Sequence, residues 1–280
     1  VADRPVRQAP KAQGAQVLRT EQLTPHMVRV VLGGDGLADF ALSGFTDHYI
    51  KLCFAPEGAD YAHPFDIAAI RESHPRELWP TTRTYTVRAW DPDAREMTVD
   101  FVVHGDEGLA GPWAMRAAPG DQVTFLGPGG GYGPDASADW HLLAGDESAL
   151  PAIAATLEQM PAGAVAHAFI EVTDASEEQK IVTPDGVAVT WLHRGGRPVG
   201  EAVTAAVKAL DFPAGEVQAF VHGEAGFVKE IRRHLRLERQ IPLARLSISG
   251  YWRAGQSDDA WRAVKREWNE QVEREQESAA

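Results

Sequence analysis

The sequence predicts two joined domains of different class and a terminal helix. An antiparallel β-barrel is expected near residues 1–134, a parallel-sheet α/β domain near 139–250, and a last segment over 251–280. Three observations carry this. Short strand-like runs separated by turn residues fill the first half, with no long helical pattern among them. From about Gly133 strand-like and helix-like runs alternate, as they do when helices cover both faces of a parallel sheet. Between the halves lies GPGGGYGPDASAD, rich in Gly, Pro and Ser as a domain junction should be.

Each element follows from its pattern. QVLRTEQLTPHMVRVVLGG reads as two strands around a Thr-Pro turn, and HYIKLCFAP as a third. TRTYTVRAWDPDAREMTVDFVVHG reads as a hairpin with Asp-Pro-Asp at its tip, and DQVTFLGPGG as a sixth strand running into glycines. Barrel and sandwich both suit such a series. In the second half WHLLAG, VAHAFIEVTD, AVTWLHR and VQAFVHGE are strand-like, whereas ESALPAIAATLEQM, EAVTAAVKAL and AGFVKEIRRHLRLE have helical spacing. SDDAWRAVKREWNEQVEREQESAA reads as a helix with Ser257 as N-cap, acids in its first turn and a polar, fraying end. Trp261, Val264 and Trp268 recur in it at packing intervals, with Arg262, Lys265 and Arg266 beside or opposite them.

Composition narrows the function. A net charge of −13 argues against general affinity for nucleic acid or an anionic membrane, while leaving room for a local basic pocket. No run approaches the 18 apolar residues of a membrane span, and VADRPVRQAPKAQG lacks the apolar core of a secretory signal. The single cysteine, Cys53, reads as a small buried hydrophobe that cannot form an internal disulfide. With scattered histidines and no CxxC or HExxH, a protein-bound metal is not expected, and a reducing cytoplasm fits the whole.

Arg83-Thr84-Tyr85-Thr86-Val87-Arg88 is unusually polar for a strand. Alternation puts Arg83, Tyr85 and Val87 on one face and Thr84, Thr86 and Arg88 on the other. An arginine two residues from a tyrosine can hold a phosphate while the ring packs on a planar heterocycle, and a threonine hydroxyl can bond its edge. Cross-strand polar pairing explains the pattern equally well. In Val103 to Ala114, VHGDEGLAGPWA, glycines and small residues let backbone approach a phosphate closely, with His104 and Trp113 able to flank a ring. A glycine-rich turn beside a core tryptophan is the alternative.

RTYTVR, VVHGDEGLAGPWA, LLAGDESALPAI, HGEAGFVKEIRRHL and GYWRAGQ occur in that order, and together they resemble the siderophore-interacting proteins, a branch of the ferredoxin–NADP reductase-like flavoproteins. The resemblance covers roughly residues 15–270. It implies a six-stranded FAD-binding barrel followed by a domain for NADPH or NADH, and a cytoplasmic ferric-siderophore reductase. Carried over by position, Arg83, Tyr85 and Thr86, with Thr84 between them, hold the flavin and its pyrophosphate. His104, Gly108, Ala110, Trp113 and Ala114 surround the rest of the FAD, and Trp252 lies near the flavin. Lys51 and Arg253 attract the anionic ferric chelate. The family often carries an arginine or other large residue in the loop after the barrel's last Gly-Pro, where this chain has Gly129-Gly130-Gly131.

GPGGGYG is not a dinucleotide fingerprint, because it is out of register and precedes the first α/β strand. The nicotinamide is assigned to two loops at strand ends: Asp146, Glu147 and Ser148, and Gly223 with Glu224. Ordinary strand–helix connection and capping is the competing account of both. The basic run Arg232, Arg233, His234, Arg236 and Arg239 reads as a solvated helix face, or as a clamp for a 2′-phosphate. Three functions stay open: ferric-siderophore reductase with ferredoxin as an alternative donor, flavin-containing reductase with another acceptor, and siderophore carrier without turnover.

Overall fold

The computed structural model describes residues 12–106 and 108–277. Residues 1–11 of the expected barrel, Glu107 of the glycine-rich stretch and the terminal residues 278–280 lie outside the described residues.

The first half closes into a six-stranded antiparallel barrel. Its strands are β1 (Gln13–Thr24), β2 (Met27–Gly33), β3 (Tyr49–Phe54), β4 (Thr81–Asp91), β5 (Glu96–Val102) and β6 (Gln122–Gly129). They pair in the order β1-β2-β5-β4-β3-β6, and β6 returns to β1. Closure decides between barrel and sandwich, and leaves no free edge. Alternate residues point inward, so Val30, Leu32, Ile50, Leu52, Val99, Phe101 and Phe125 form one buried core. A helix unforeseen from sequence, α1 (Ile67–Ser73), starts where the Asp66 carboxylate accepts the Ala69 N–H at 3.0 Å. Its loop lays Phe65 and Ile70 over Cys53. Burial pushes that thiol up to about 11, consistent with an inert packing residue. The short α2 (Ala110–Arg116) follows β5.

The second half is a five-stranded parallel sheet in the order β11-β10-β7-β8-β9. It contains β7 (Trp140–Gly145), α3 (Leu150–Glu158), β8 (Ala166–Val172), β9 (Val187–His193), α4 (Glu201–Ala209), β10 (Val217–Glu224), α5 (Ala225–Arg233) and β11 (Leu246–Trp252), ending in α6 (Asp258–Glu277). Four strands are expected from sequence; β11 is the fifth, and it carries Gly250, Tyr251 and Trp252 across the expected boundary at 250. Ser249 and Ser247 interrupt its apolar pattern because they serve polar neighbours: Lys265 donates to Ser249 at 3.1 Å, and His222 meets Ser247 at 3.0 Å.

The α6 stripe differs from the expected one. Val264 is exposed, and the inward residues are Trp261, Lys265, Trp268, Val272 and Gln276. Trp261 is fully buried beside Gly250, where any added Cβ would lie 3.2 Å from the indole. The helix therefore runs from the barrel across the β11 edge to α5, where Lys229 pairs with Glu275 at 2.6 Å.

The two domains are packed together. Leu23, Met27 and Val102 of the barrel join the core around α3. Arg88 holds Glu158 of α3 through two bonds of 2.7 Å, and the hydroxyls of Thr46 and Thr156 meet at 2.8 Å. Glu177, almost wholly buried, accepts from Thr24 at 2.5 Å and meets the His26 ring at 2.5 Å.

Candidate flavin and nicotinamide site

The polarity of β4 has a structural reason at both ends. Arg88 reaches α3, as described above. Arg83 reaches α6, with Nη1 and Nη2 each 3.0 Å from an oxygen of Asp259 and Nη1 3.2 Å from Asp258. Between them Tyr85 shares its face with Ile50 at the barrel mouth, its ring 4.3 Å from Phe101. Burial and the nearby Asp258 charge hold its phenol well above its ordinary pKa. Thr86 is buried, while Thr84 opposes Lys51 on the outer face and both are exposed.

The glycine-rich stretch adjoins this mouth. Trp113 is half-buried and packs on Phe101 at 5.5 Å and Phe54 at 5.8 Å. Ala110 and Ala114 are buried against the barrel core, so α2 presents backbone rather than these methyl groups to any ligand above it. His104 is exposed. Gly105 and Gly108 have φ of +60° and +82°, and a Cβ on either would meet nothing within 4 Å. The left-handed backbone favours glycine there, and the space above stays open.

At the carboxyl ends of the parallel strands Asp146, Ser148, Gly223, Glu224 and Trp252 come together. Asp146 is fully buried and accepts from Ser148 N–H (2.9 Å), Ser148 Oγ (2.5 Å), Glu224 N–H (2.8 Å) and Trp252 Nε1 (2.8 Å). Its carboxyl is nevertheless pushed up to about 6, because loss of water outweighs these bonds, with Glu147 adding to the rise. Glu224 caps α5 by accepting from Gly226 N–H at 2.6 Å. Glu147 is held by Arg194, whose Nη1 donates at 2.9 Å. These three carboxylates and both donors of Ser148 are committed to the protein, so the loops offer mainly their other backbone groups to a nucleotide. Gly223, with φ +140°, leaves no room for a Cβ, which would fall 2.7 Å from Phe227.

Lys51 and Arg253 are differently placed. Neither side chain makes a hydrogen bond or ion pair among the described residues. Arg253 follows the end of β11, whereas Lys51 shares the outer face of β3 with Tyr49. The glycine loop passes beside β3: a Cβ on Gly129 would strike the Tyr49 ring, whereas Gly131 has open space.

Most of the basic run at and beyond the end of α5 is turned to the protein, while Arg233 is exposed and lies 3.5 Å from Glu238. Arg236 donates to the Ile241 carbonyl at 2.6 Å, Arg232 is buried against Gln276, and Arg239 lies 4.2 Å over the Phe212 ring. It sits toward the far end of α5 from the Asp146 and Gly223 loops. Two clefts of about 220 and 510 Å³ lie between barrel and α3 and share Arg88, Ala89 and Glu158. Neither is lined by Arg83, Tyr85 or α2. The sequence reading missed Arg194, which ties the loop after β9 to that after β7, and the acids of α6. The β9-end arginine has no spacing signal; Asp258 and Asp259 read only as helix-start acids.

The barrel mouth fits FAD on its own chemistry. Arg83 is a cation whose Nε has no partner among the described residues and is not sealed from solvent. Tyr85 offers a ring backed by Phe101, and the glycine-rich stretch leaves open space for a long diphosphate ligand.

Comparison with known proteins agrees. Residues 16–132 match the family model for the siderophore-interacting FAD-binding domain, and residues 138–255 that for siderophore-interacting protein. An uncharacterized protein of Mycobacterium tuberculosis is 45% identical, over 90% of this chain and 94% of its own length. The ferric vibriobactin reductase of Vibrio cholerae is 34% identical, over 87% of this chain and 90% of its own. The NADPH-dependent ferric-chelate reductase of Escherichia coli is 32% identical, over 85% and 91%. A siderophore utilization protein from T. fusca, of known crystal structure, is 39% identical with a TM-score of 0.77, over 89% and 95%. Barrel, parallel sheet, motif order and these full-length similarities agree: the chain belongs to the siderophore-interacting protein family, and its barrel is that family's FAD-binding domain.

Proposed function

We propose that this chain is a reductase of ferric siderophores that draws its electrons from NADPH or NADH. The observation that carries the reading is the meeting of β4 with the carboxyl end of the parallel sheet. Arg83 is gripped by Asp259, only seven residues after Trp252 ends β11. A ligand bound along β4 is therefore open to a second ligand seated on the sheet's loops, the usual binding edge of a parallel sheet.

Bound FAD supplies the conversion of a two-electron donor's pair into single electrons for ferric iron. The chain's residues have separate tasks. Arg83 binds the pyrophosphate, Tyr85 packs on the ring system, and Thr86 lies beside it. The loops at Asp146–Ser148 and Gly223–Glu224 receive the nicotinamide nucleotide through backbone groups. Lys51 and Arg253 draw the anionic chelate to the flavin edge. Their field prevails over the net charge of −13 because screening confines it to about 8 Å at physiological salt.

The test is anaerobic stopped-flow. The FAD-loaded protein is expected to bleach with NADPH or NADH and to recolour with a ferric siderophore. Bleaching without recolouring by any ferric siderophore refutes the proposed acceptor. Chelate binding without bleaching by any reductant, reduced ferredoxin included, makes the protein a carrier.

A further inference from the structure

Arg83 carries five N–H donors on a planar group. Three are engaged: Nη1 donates to the Thr82 carbonyl and to Asp259 Oδ1, both at 3.0 Å, and Nη2 donates to Asp259 Oδ2 at 3.0 Å. Asp259 thus occupies the fork at the tip of the guanidinium, and Thr82 takes the remaining Nη1 hydrogen. What is left is Nε–H and the second Nη2–H, which lie parallel along one edge and form a bidentate fork for a phosphate. Nε is unpartnered among the described residues and not fully sealed from solvent, on a side chain that is 15% exposed.

We propose that Asp259 is a positioning residue for FAD: it holds Arg83 by the tip so that the Nε–Nη2 edge faces the pyrophosphate. This rests on the reading of Arg83 given above and adds to it a residue from the other end of the chain. The orientation is set before any ligand arrives. Trp261 is fully buried, Arg262 donates to Thr82 Oγ1 at 3.0 Å, and Lys265 is bonded to Ser249, so the first turns of α6 are fixed against both domains. A long, rotamer-rich side chain fixed in its binding geometry loses less freedom when the ligand binds. Asp258, 3.2 Å from Nη1, assists from the same turn. The two carboxylates also repel a phosphate, so geometry and charge act in opposite directions, and the sign of the effect on affinity tells which prevails.

The test titrates FAD into the full-length apo-protein and follows the quenching of flavin fluorescence. Asp259→Ala is expected to raise the dissociation constant roughly tenfold, the scale on which outer-shell partners act. Arg83→Ala is expected to raise it further. In the Arg83→Ala background, Asp259→Ala should cost nothing more, since its effect passes through the guanidinium. An unchanged or tightened FAD constant in Asp259→Ala overturns the proposal. So does an equal loss with and without Arg83, which makes α6 a structural prop only. If Arg83→Ala itself binds FAD normally, the failure lies in the underlying assignment of Arg83. If Arg83→Ala is weak and Asp259→Ala normal, only the present inference fails.

Discussion

The indole of Trp252 donates to Oδ2 of Asp146 at 2.8 Å, and the same oxygen accepts the backbone N–H of Glu224 at 2.8 Å. One buried carboxylate therefore ties the ends of β7, β10 and β11. Asp146→Asn replaces one oxygen by an NH₂ that faces donors, and is expected to cost about 1–3 kcal/mol. It should also alter tryptophan emission through Trp252. The acid's folded pKa of about 6 lies above its ordinary 3.8, so the folded state holds the proton longer. Stability from this group is full below about pH 4 and falls as pH rises toward 6. Urea denaturation of wild type and Asp146→Asn should show a difference that changes over this window; a pH-independent difference refutes the assignment.

His222 titrates in the opposite sense. Its ring stacks on Phe220 at 3.8 Å, edges Tyr251 at 4.9 Å and faces Ser247, and burial followed by the Lys265 charge pushes it down to about 3. The unfolded chain takes up the proton near pH 6.5, so stability is full above that value and declines as pH falls toward 3. His222→Phe keeps the stack and removes the titration. Its acid-unfolding midpoint, followed by circular dichroism, should move to lower pH; an unchanged midpoint would place the acid sensitivity elsewhere.

Arg88 and Glu158 join the barrel to α3 through two bonds of 2.7 Å, and Asp100 lies 3.9 Å from Arg88 Nε. Both partners are mostly shielded, so the pair is expected to exceed an exposed one and couple by about 1–2 kcal/mol. A double-mutant cycle with Arg88→Ala and Glu158→Ala measures this directly. Coupling near zero would leave the apolar contacts of Met27 and Leu23 as the principal join.

Lys51→Ala and Arg253→Ala remove two cations whose side chains have no partner among the described residues, so neither should lower the melting temperature appreciably. Each is expected to weaken an anionic ferric siderophore about three- to tenfold at low salt, with the effect shrinking as salt rises. FAD content should be unchanged. Equal affinity for anionic and neutral chelates in the wild type would count against a basic approach surface.

The barrel was legible from sequence because period-two alternation and turn residues mark its strands directly. α1 was not, since its seven residues depend on the Asp66 cap and on packing over Cys53. β11 was hidden because Ser247 and Ser249 occupy its inner face, where polar partners replace apolar neighbours. In α6 the exchange of Val264 for Lys265 has the same origin: a half-buried lysine bonded to a strand serine does not look like a packing residue. Of the candidate site, the motifs located the strand ends correctly as structure, but pairings such as Arg83 with Asp259 join residues far apart in the chain. No local pattern encodes them. The committed carboxylates Asp146, Glu147 and Glu224 show the same limit, because a loop acid and a capping acid are written identically.

The connectivity of the two sheets also bears on how the polypeptide matures during synthesis. Every partner of the barrel has left the ribosome once β6 emerges, so this half can close early. The parallel sheet has no such freedom. Its central β7 waits for β10, and β10 keeps an unpaired edge until β11 is made. A nascent chain stalled between residues 224 and 246 therefore displays that edge as a template for stray association, and β11 is what finally seals it.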